Sequence, residues 1–264
     1  MATSDWDAAA RELASARLNG RAVQPLPQGL APRDAGAGYA IQYRLHDLLS
    51  AAGEGPVAGQ KIGCTTLVMR QKLGIDQPCA GGIHAHRVLG DGGTWSVAGR
   101  VKPSVECEIA VRLARDLPAM AGHYTADSVR AAVGACMASI ELCDDRYTDR
   151  ETVGVPTLIA DDFYNAGCAL GHEISDWQSI DLAAIAGTMR INGREMGHGQ
   201  GGDIMGHPFA ALAWLANLRA SEGHPLKAGT FVTLGSIVSS QRVAPGDRVE
   251  IEIEKLGVIK LAIA

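Results

Sequence analysis

Glu106 and Glu108 are the residues of this sequence whose type and spacing point most directly to chemistry. They sit in a run where Val105, Cys107, Ile109 and Val111 alternate with polar residues, the pattern of a half-buried strand. Period-two geometry puts both carboxylates on one face of that strand, roughly 6.5–7 Å apart along the backbone. Like charges so placed repel, and burying them is costly without a compensating cation. A divalent ion such as Mg²⁺ accepts such a hard-oxygen pair, usually with a further carboxylate and several waters. The plainer reading of an E-x-E alone is a solvated strand face neutralised by lysines. Glu141 supplies the further carboxylate. In the segment from Ser139 to Cys143, Ile140 and Leu142 take one face and Glu141 the other, and such a carboxylate needs a partner. Two such strands side by side would form a three-carboxylate site with open coordination positions.

Other residues could complete such a site. Lys61, on a strand bracketed by Gly59 and Gly63, could balance a carboxylate ligand or a developing enolate, although a lone lysine is more often simply solvated. Asp76, before Gln77 and Pro78, reads as a turn residue first and a catalytic one second. Asp161 and Asp162 are similarly ambiguous. Two patterns are false leads. Gly197 to Gly202 fits G-x-G-x-x-G, but the next helix opens only at Pro208, and Glu222 lies at that helix's end, not on a following strand. His84-Ala85-His86 lacks the remaining ligands of a zinc site and reads as a loop pair. Cys64, Cys79, Cys107, Cys136, Cys143 and Cys168 contain no C-x-x-C pair and read as small buried hydrophobes.

These residues must be positioned by a scaffold that the pattern outlines. Helices are expected from about residue 6 to Leu18, from Tyr39 to Ala52, over Val129 to Met137, and from Pro208 to near Gly223. Strands are expected around Lys61, at 105–111 and 139–143, and at 231–238, 248–254 and 258–264. The abundance of glycine, 32 residues, implies many turns and close backbone approaches. With 264 residues and no divisive linker, a single domain spanning 1–264 is expected, with a helical layer over 1–55 and a β-rich body over 56–264. A net charge of −5 argues against nucleic acid or an acidic membrane surface as partner. The first twenty residues carry no apolar signal region and no long apolar run follows, so a cytoplasmic, non-membrane protein is expected.

Taken in order, the motifs resemble the 2-keto-4-pentenoate hydratase and 4-oxalocrotonate decarboxylase group of the fumarylacetoacetate hydrolase superfamily. They are Lys61-Ile62-Gly63, Gly74-Ile75-Asp76-Gln77-Pro78, Glu106-x-Glu108, Ile140-Glu141-Leu142, Ile159-Ala160-Asp161, Gly206-His207-Pro208 with the helix to Asn217, and Leu226-Lys227-Ala228-Gly229. The resemblance implies an α+β fold, a mixed β-roll with an N-terminal helical layer and peripheral helices. It also implies assembly as a homo-oligomer, a dimer or a ring of dimers. It implies a divalent metal, Mg²⁺ or Mn²⁺, held by Glu106, Glu108 and Glu141, with Lys61, Asp76 and Asp161 as catalytic residues. Thr65, Gln77, Ser236 and Arg87 are the candidate substrate-binding residues. The sequence departs from the group at Cys79 to His86, at Asp161 to Asn165, at Asp203 and at Leu234, all around the expected pocket.

The implied reaction is addition of water to a 2-hydroxy-2,4-dienoate to give a 4-hydroxy-2-oxo acid, in the catabolism of aromatic compounds. The 2-oxo acid would chelate the cation, which stabilises the enolate, and Lys61 would neutralise the substrate carboxylate or the enolate. Asp76 and Asp161 share the acid and base roles in an order left open. Decarboxylation of a 2-oxo-enedioate and hydrolysis of an acylpyruvate carbon–carbon bond remain alternatives, as does an inactive partner subunit. Retention of the three glutamates and Lys61 argues against the last. Arg87 is the residue that could grip a second carboxylate bidentately and so favour decarboxylation.

Overall fold

The computed structural model describes residues 3–149 and 153–264. Alternating apolar residues build the small sheet first. Strands β11 (Arg248–Ile253) and β12 (Gly257–Ile263) bury Val249, Ile251, Ile253, Ile259, Leu261 and Ile263 on one face and expose Glu252 and Lys260 on the other. They join β4 (Gly93–Trp95), β8 (Ala186–Ile191) and β9 (Arg194–Gln200) in the order β4-β12-β11-β8-β9.

The larger, seven-stranded sheet holds the candidate chemistry. Its members are β1 (Val57–Gly63), β2 (Cys79–His84), β3 (Val88–Gly90), β5 (Pro103–Leu113), β6 (Val133–Asp144), β7 (Asn165–Leu170) and β10 (Phe231–Arg242). The order is β2-β1-β10-β5-β6-β7-β3, antiparallel except for the β1–β10 and β3–β7 pairs. The small sheet packs on it. A Cβ on Gly187 of β8 would press on Ile237 of β10 and Cys107 of β5, so the apolar face of β5 looks toward the small sheet. Its acidic face therefore looks the other way, as period-two alternation requires.

Helices α1 (Thr3–Leu18) and α2 (Ala35–Leu49) form the N-terminal layer, and α5 (Val155–Ala160) packs against α2. Asp34 caps α2 by accepting from the N–H of Ala37. The helix runs on through a wider turn to Glu54, and Gly53 ends it with φ 98°. Helices α3 (Leu67–Leu73), α4 (Ala126–Arg130) and α6 (Pro208–Ser221) lie outside the sheets' strand order, with Pro208 in the first turn of α6 as expected. The result is an α+β fold with two mixed sheets, the class the sequence implies. Among the described residues no helix is long and apolar enough to cross a membrane.

Two expectations are corrected. The helix expected over Val129–Met137 is only the short α4, and Val133 onward is strand β6. β6 lies between β5 and β7, with residues 135–144 all buried. A strand covered on both faces loses its alternation and reads as a continuous apolar run, which mimics helical spacing. The loop expected from Cys79 to His86 begins instead as the buried edge strand β2, its register with β1 running from Gly63↔Cys79 to Val57↔His84.

Candidate active site

The β5–β6 register sets Glu106 directly opposite Glu141 and Glu108 opposite Ser139. Cross-strand neighbours lie about 4.5–5.5 Å apart at Cβ, so Glu106 and Glu141 meet directly, and Glu108, two residues along β5, shares their face. Glu108 and Glu141 are buried and Glu106 is partly open. Lys61 comes from β1, two strands from β5, and its buried ammonium lies 3.2 Å from Glu141 Oε1. Asn165, at the start of β7, donates its amide to the same Oε1 at 2.9 Å. The ring of Phe163 stands 5.6 Å from Lys61 Nζ, a cation–π wall on one side of the ammonium.

Strand β10 is irregular where it passes this site, with register shifts between Thr233 and Ser236 and again before Val238 and Gln241. Such shifts re-aim backbone groups. Here they turn the N–H of Gly235 onto Glu108 Oε2 at 3.0 Å. Gly235 has φ 117°, and a Cβ there would meet Thr65 Oγ1 at 2.4 Å, so only glycine fits between Thr65 and Glu108. Hydroxyls of Ser236 and Ser240 hydrogen-bond Glu106, and Ser236 also donates to Val238 O at 2.5 Å. Residues 162–164 carry consecutive positive φ values of 53°, 47° and 69°, a strained turn of the kind that concentrates at functional sites.

The electrostatics follow from burial. Burial and then the charge of Glu141 push the Glu106 carboxyl up to about 7, although Lys61, Ser240 and Ser236 oppose the shift. Burial, then Glu141 and Glu106, hold Glu108 well above the usual carboxylate range. Burial alone would lower the Lys61 ammonium, but Glu141, Cys143, Glu106 and Glu108 outweigh it, so it stays protonated. Three carboxylates face one fixed cation. Among the described residues Glu108 Oε1 and Glu141 Oε2, both buried, have no hydrogen-bond partner, which is costly unless something else satisfies them. Hard oxygen donors in excess of positive charge, with orphaned acceptors, are a donor set that fits a divalent cation.

A pH dependence follows. Both carboxyls have folded-state values above their unfolded ones, so the native state keeps protons that the unfolded chain releases. Stability of the metal-free protein should therefore fall as pH rises from about 4.5 toward about 7 and stay low above that. Thermal melts in a chelator should show a midpoint several degrees lower at about pH 8 than at about pH 5.5. The drop should shrink in Glu106→Gln and with saturating Mn²⁺. A wild-type midpoint that does not fall, or falls equally in Glu106→Gln, would remove the carboxylate cluster as its cause.

The remaining predicted residues are placed unevenly. Thr65 is buried against Gly235, and Ser236 is paired with Glu108 in register, so both stand at the site. Asp76 and Gln77 lie exposed in the turn after α3, and among the described residues neither side chain is hydrogen-bonded. Arg87 is held bidentately by Glu54, at 2.5 Å to each oxygen, and lines a cavity of about 230 Å³ with Arg17, Arg100, Arg146 and His84, which Asn165 also borders. That cavity's lining includes none of the three glutamates or Lys61. Among the described residues, neither His84 nor His86 falls in a group of three or more metal-capable donors. Their Nδ1 atoms pair with Gly55 O and Gly53 O at 2.9 and 2.6 Å, fixing the chain beyond α2.

Asp161 is an anchor in this structure. Arg17 Nε donates to its Oδ1 at 2.8 Å, and Arg146 and Tyr147 take its Oδ2, with Asp161 1% exposed. Both oxygens are committed, which is unsuited to proton transfer and well suited to tying α1 to the body. Asp162 completes the joint, accepting from His46 Nε2 at 2.7 Å and the Gly82 N–H at 2.8 Å. Asp161→Asn should leave buried guanidinium charge uncompensated and cost about 3–5 kcal/mol of stability. Turnover of the folded fraction should change only a few-fold. A variant with wild-type stability and a collapsed kcat would return Asp161 to the acid–base role.

Asn165, Gly235, Ser240 and Cys143 are site residues that the sequence reading did not single out for this role. Asn165 closes the departing segment Asp161–Asn165, and Gly235 follows the departing Leu234.

The profile of the Fumarylacetoacetate (FAA) hydrolase C-terminal family matches residues 83–264. A 2-keto-4-pentenoate hydratase from Burkholderia vietnamiensis (strain G4 / LMG 22486) is 36% identical over 251 residues, covering 95% of this chain and 94% of that protein. A 4-oxalocrotonate decarboxylase from Pseudomonas putida is 28% identical over 84% of this chain and 82% of its own length. The solved 4-oxalocrotonate decarboxylase from Pseudomonas putida G7, complexed with magnesium and adipate, superposes with a TM-score of 0.93 at 25% identity, over 100% of this chain and 99% of that one. The matched profile spans β5, β6 and β10, the strands that carry the glutamates and Gly235, and on this convergence of site and similarity the chain belongs to the fumarylacetoacetate hydrolase family.

Proposed function

We propose that this protein is a metal-dependent hydro-lyase that adds water to a 2-hydroxy-2,4-dienoate, giving a 4-hydroxy-2-oxo acid in the breakdown of aromatic compounds. The observation that carries the reading is the cluster of partly open Glu106 with buried Glu108, Glu141 and Lys61, in a chain 36% identical to a 2-keto-4-pentenoate hydratase. Glu106, Glu108 and Glu141 would hold the divalent ion, Mg²⁺ or Mn²⁺, which when bound supplies a Lewis acid for negative charge developing on the substrate's 2-oxygen.

The chain's own residues do the rest. Lys61, kept protonated by its carboxylate neighbours, serves as a fixed cation for the substrate carboxylate and does not act as a base. Asn165 and Lys61 together fix Glu141 from one side, and Gly235 fixes Glu108 from the other. Phe163 excludes water beside the ammonium, which strengthens its field. Asp76, on the exposed turn after α3, is the acid–base candidate whose carboxylate is not already committed to arginines.

Decarboxylation of a 2-oxo-enedioate is the second reading, supported by the 0.93 TM-score to a decarboxylase. The commitment of the Arg87 guanidinium to Glu54 supports a monocarboxylate instead. The protein, loaded with Mg²⁺ or Mn²⁺, should convert 2-hydroxypenta-2,4-dienoate to a product heavier by one water. It should show a higher kcat/KM for that substrate than for a 2-oxo-3-enedioate. Preference for the dicarboxylate with release of carbon dioxide would make the decarboxylase reading correct. We further propose a homo-oligomeric assembly, which sedimentation analysis would test.

A further inference from the structure

Cys143 follows Glu141 by two residues on β6, so the pleat turns its thiol to the same face as the carboxylates. The donor atoms of Glu106, Glu141 and Cys143 all lie within 4.8 Å of one another. Glu108 is outside that group, since its Oε2 is drawn toward the Gly235 N–H. In register, Cys143 stands between Ser104 of β5 and Asn165 of β7, so its strand neighbours at this level are polar. A cysteine filling a core as a small hydrophobe should face apolar side chains, and this one faces two carboxylates and an ammonium. Donors held 2.0–2.3 Å from a tetrahedral ion lie roughly 3.3–3.8 Å apart, so the trio needs only a small contraction to share one.

We propose that Cys143 is a ligand of this centre, which makes it a mixed oxygen–sulfur site able to take a thiophilic divalent ion such as Zn²⁺, Co²⁺ or Cd²⁺ through Glu106, Glu141 and Cys143. The inference rests on the reading of the glutamate cluster as a metal site and adds a donor to it. On coordination the thiol proton passes to solvent and the sulfur binds as thiolate. Carboxylates alone favour hard ions, whereas one thiolate shifts the preference toward borderline and soft ones. Lys61, 3.2 Å from Glu141, stays as the neighbouring cation and limits the charge the site can add.

The test is a titration of the full-length, metal-free protein with Co²⁺, followed by absorbance. A thiolate-to-cobalt charge-transfer band in the near ultraviolet is expected. It should persist in the Cys64→Ser/Cys79→Ser double variant, because those free thiols hydrogen-bond each other and are not members of this trio, and vanish in Cys143→Ser. Cd²⁺ affinity should fall about 10–100-fold in Cys143→Ser, at least the scale on which outer partners tune metal affinity, with Mg²⁺ affinity unchanged. Circular dichroism establishes that the variant is folded, and Cys143→Ala replaces it if it is not. Cobalt bound without the band, or a band that survives both Cys143 variants, overturns this inference and leaves the carboxylate metal site standing. No cobalt binding at all overturns both.

Discussion

Lys61→Met is expected to lower kcat by roughly 10²–10³-fold while divalent-ion affinity is retained or strengthened. The ammonium sits 3.2 Å from Glu141 Oε1 and shares that oxygen with the Asn165 amide. Among the described residues Lys61 is the cation paired with these carboxylates, so its removal makes a divalent ion more welcome, not less. The charge that would steady the substrate carboxylate is lost at the same time. Stability in a chelator should fall by about 3–5 kcal/mol, since Glu141 is left as a buried carboxylate without a countercharge. Added Mn²⁺ should recover part of that loss. Steady-state kinetics, calorimetric titration and melts with and without metal give the three readouts. Near-normal turnover would return Lys61 to a structural counterion.

Glu108→Gln should weaken Mg²⁺ binding by more than about 100-fold and abolish turnover with it. Gln is an isostere, and its carbonyl oxygen can still accept the Gly235 N–H that now reaches Glu108 Oε2 at 3.0 Å. Its amide nitrogen can occupy the position of the orphaned Oε1. The backbone at β10 therefore has no reason to move. Burial, with Glu141 and Glu106, holds Glu108 well above the usual carboxylate range, so the carboxylate is a liability in the metal-free state. Thermal stability in a chelator should stay level or rise in the variant. Unchanged Mg²⁺ affinity by calorimetry would sink the assignment of Glu108 as a ligand, and a large fall in chelator stability would point to a structural role instead.

Glu106, Glu108, Glu141 and Lys61 were legible in the sequence because strand alternation is local. Period-two spacing fixes which side chains share a face, and a carboxylate between Ile140 and Leu142 declares its need for a partner before any fold is known. The strands at 248–254 and 258–264 were legible for the same reason, since one face of each is solvated, whereas the largely buried helix from Pro208 was marked by the proline in its first turn. β6 was not, because burial of residues 135–144 on both faces erases alternation, and its first half reads as helix. The roles of Asp161 and Arg87 were decided only in three dimensions. Asp161 meets Arg17 from 144 positions earlier in the chain, and Arg87 meets Glu54 from 33 positions earlier. Ion pairs between distant residues leave no periodic trace, so the sequence offered both as site residues without their partners. Gly235, Asn165 and Cys143 are the converse. Each is unremarkable in its own segment, and each is brought to the carboxylates by the β10 irregularities and the β5–β6–β7 register. Local spacing chose the charges, and long-range pairing chose what holds them.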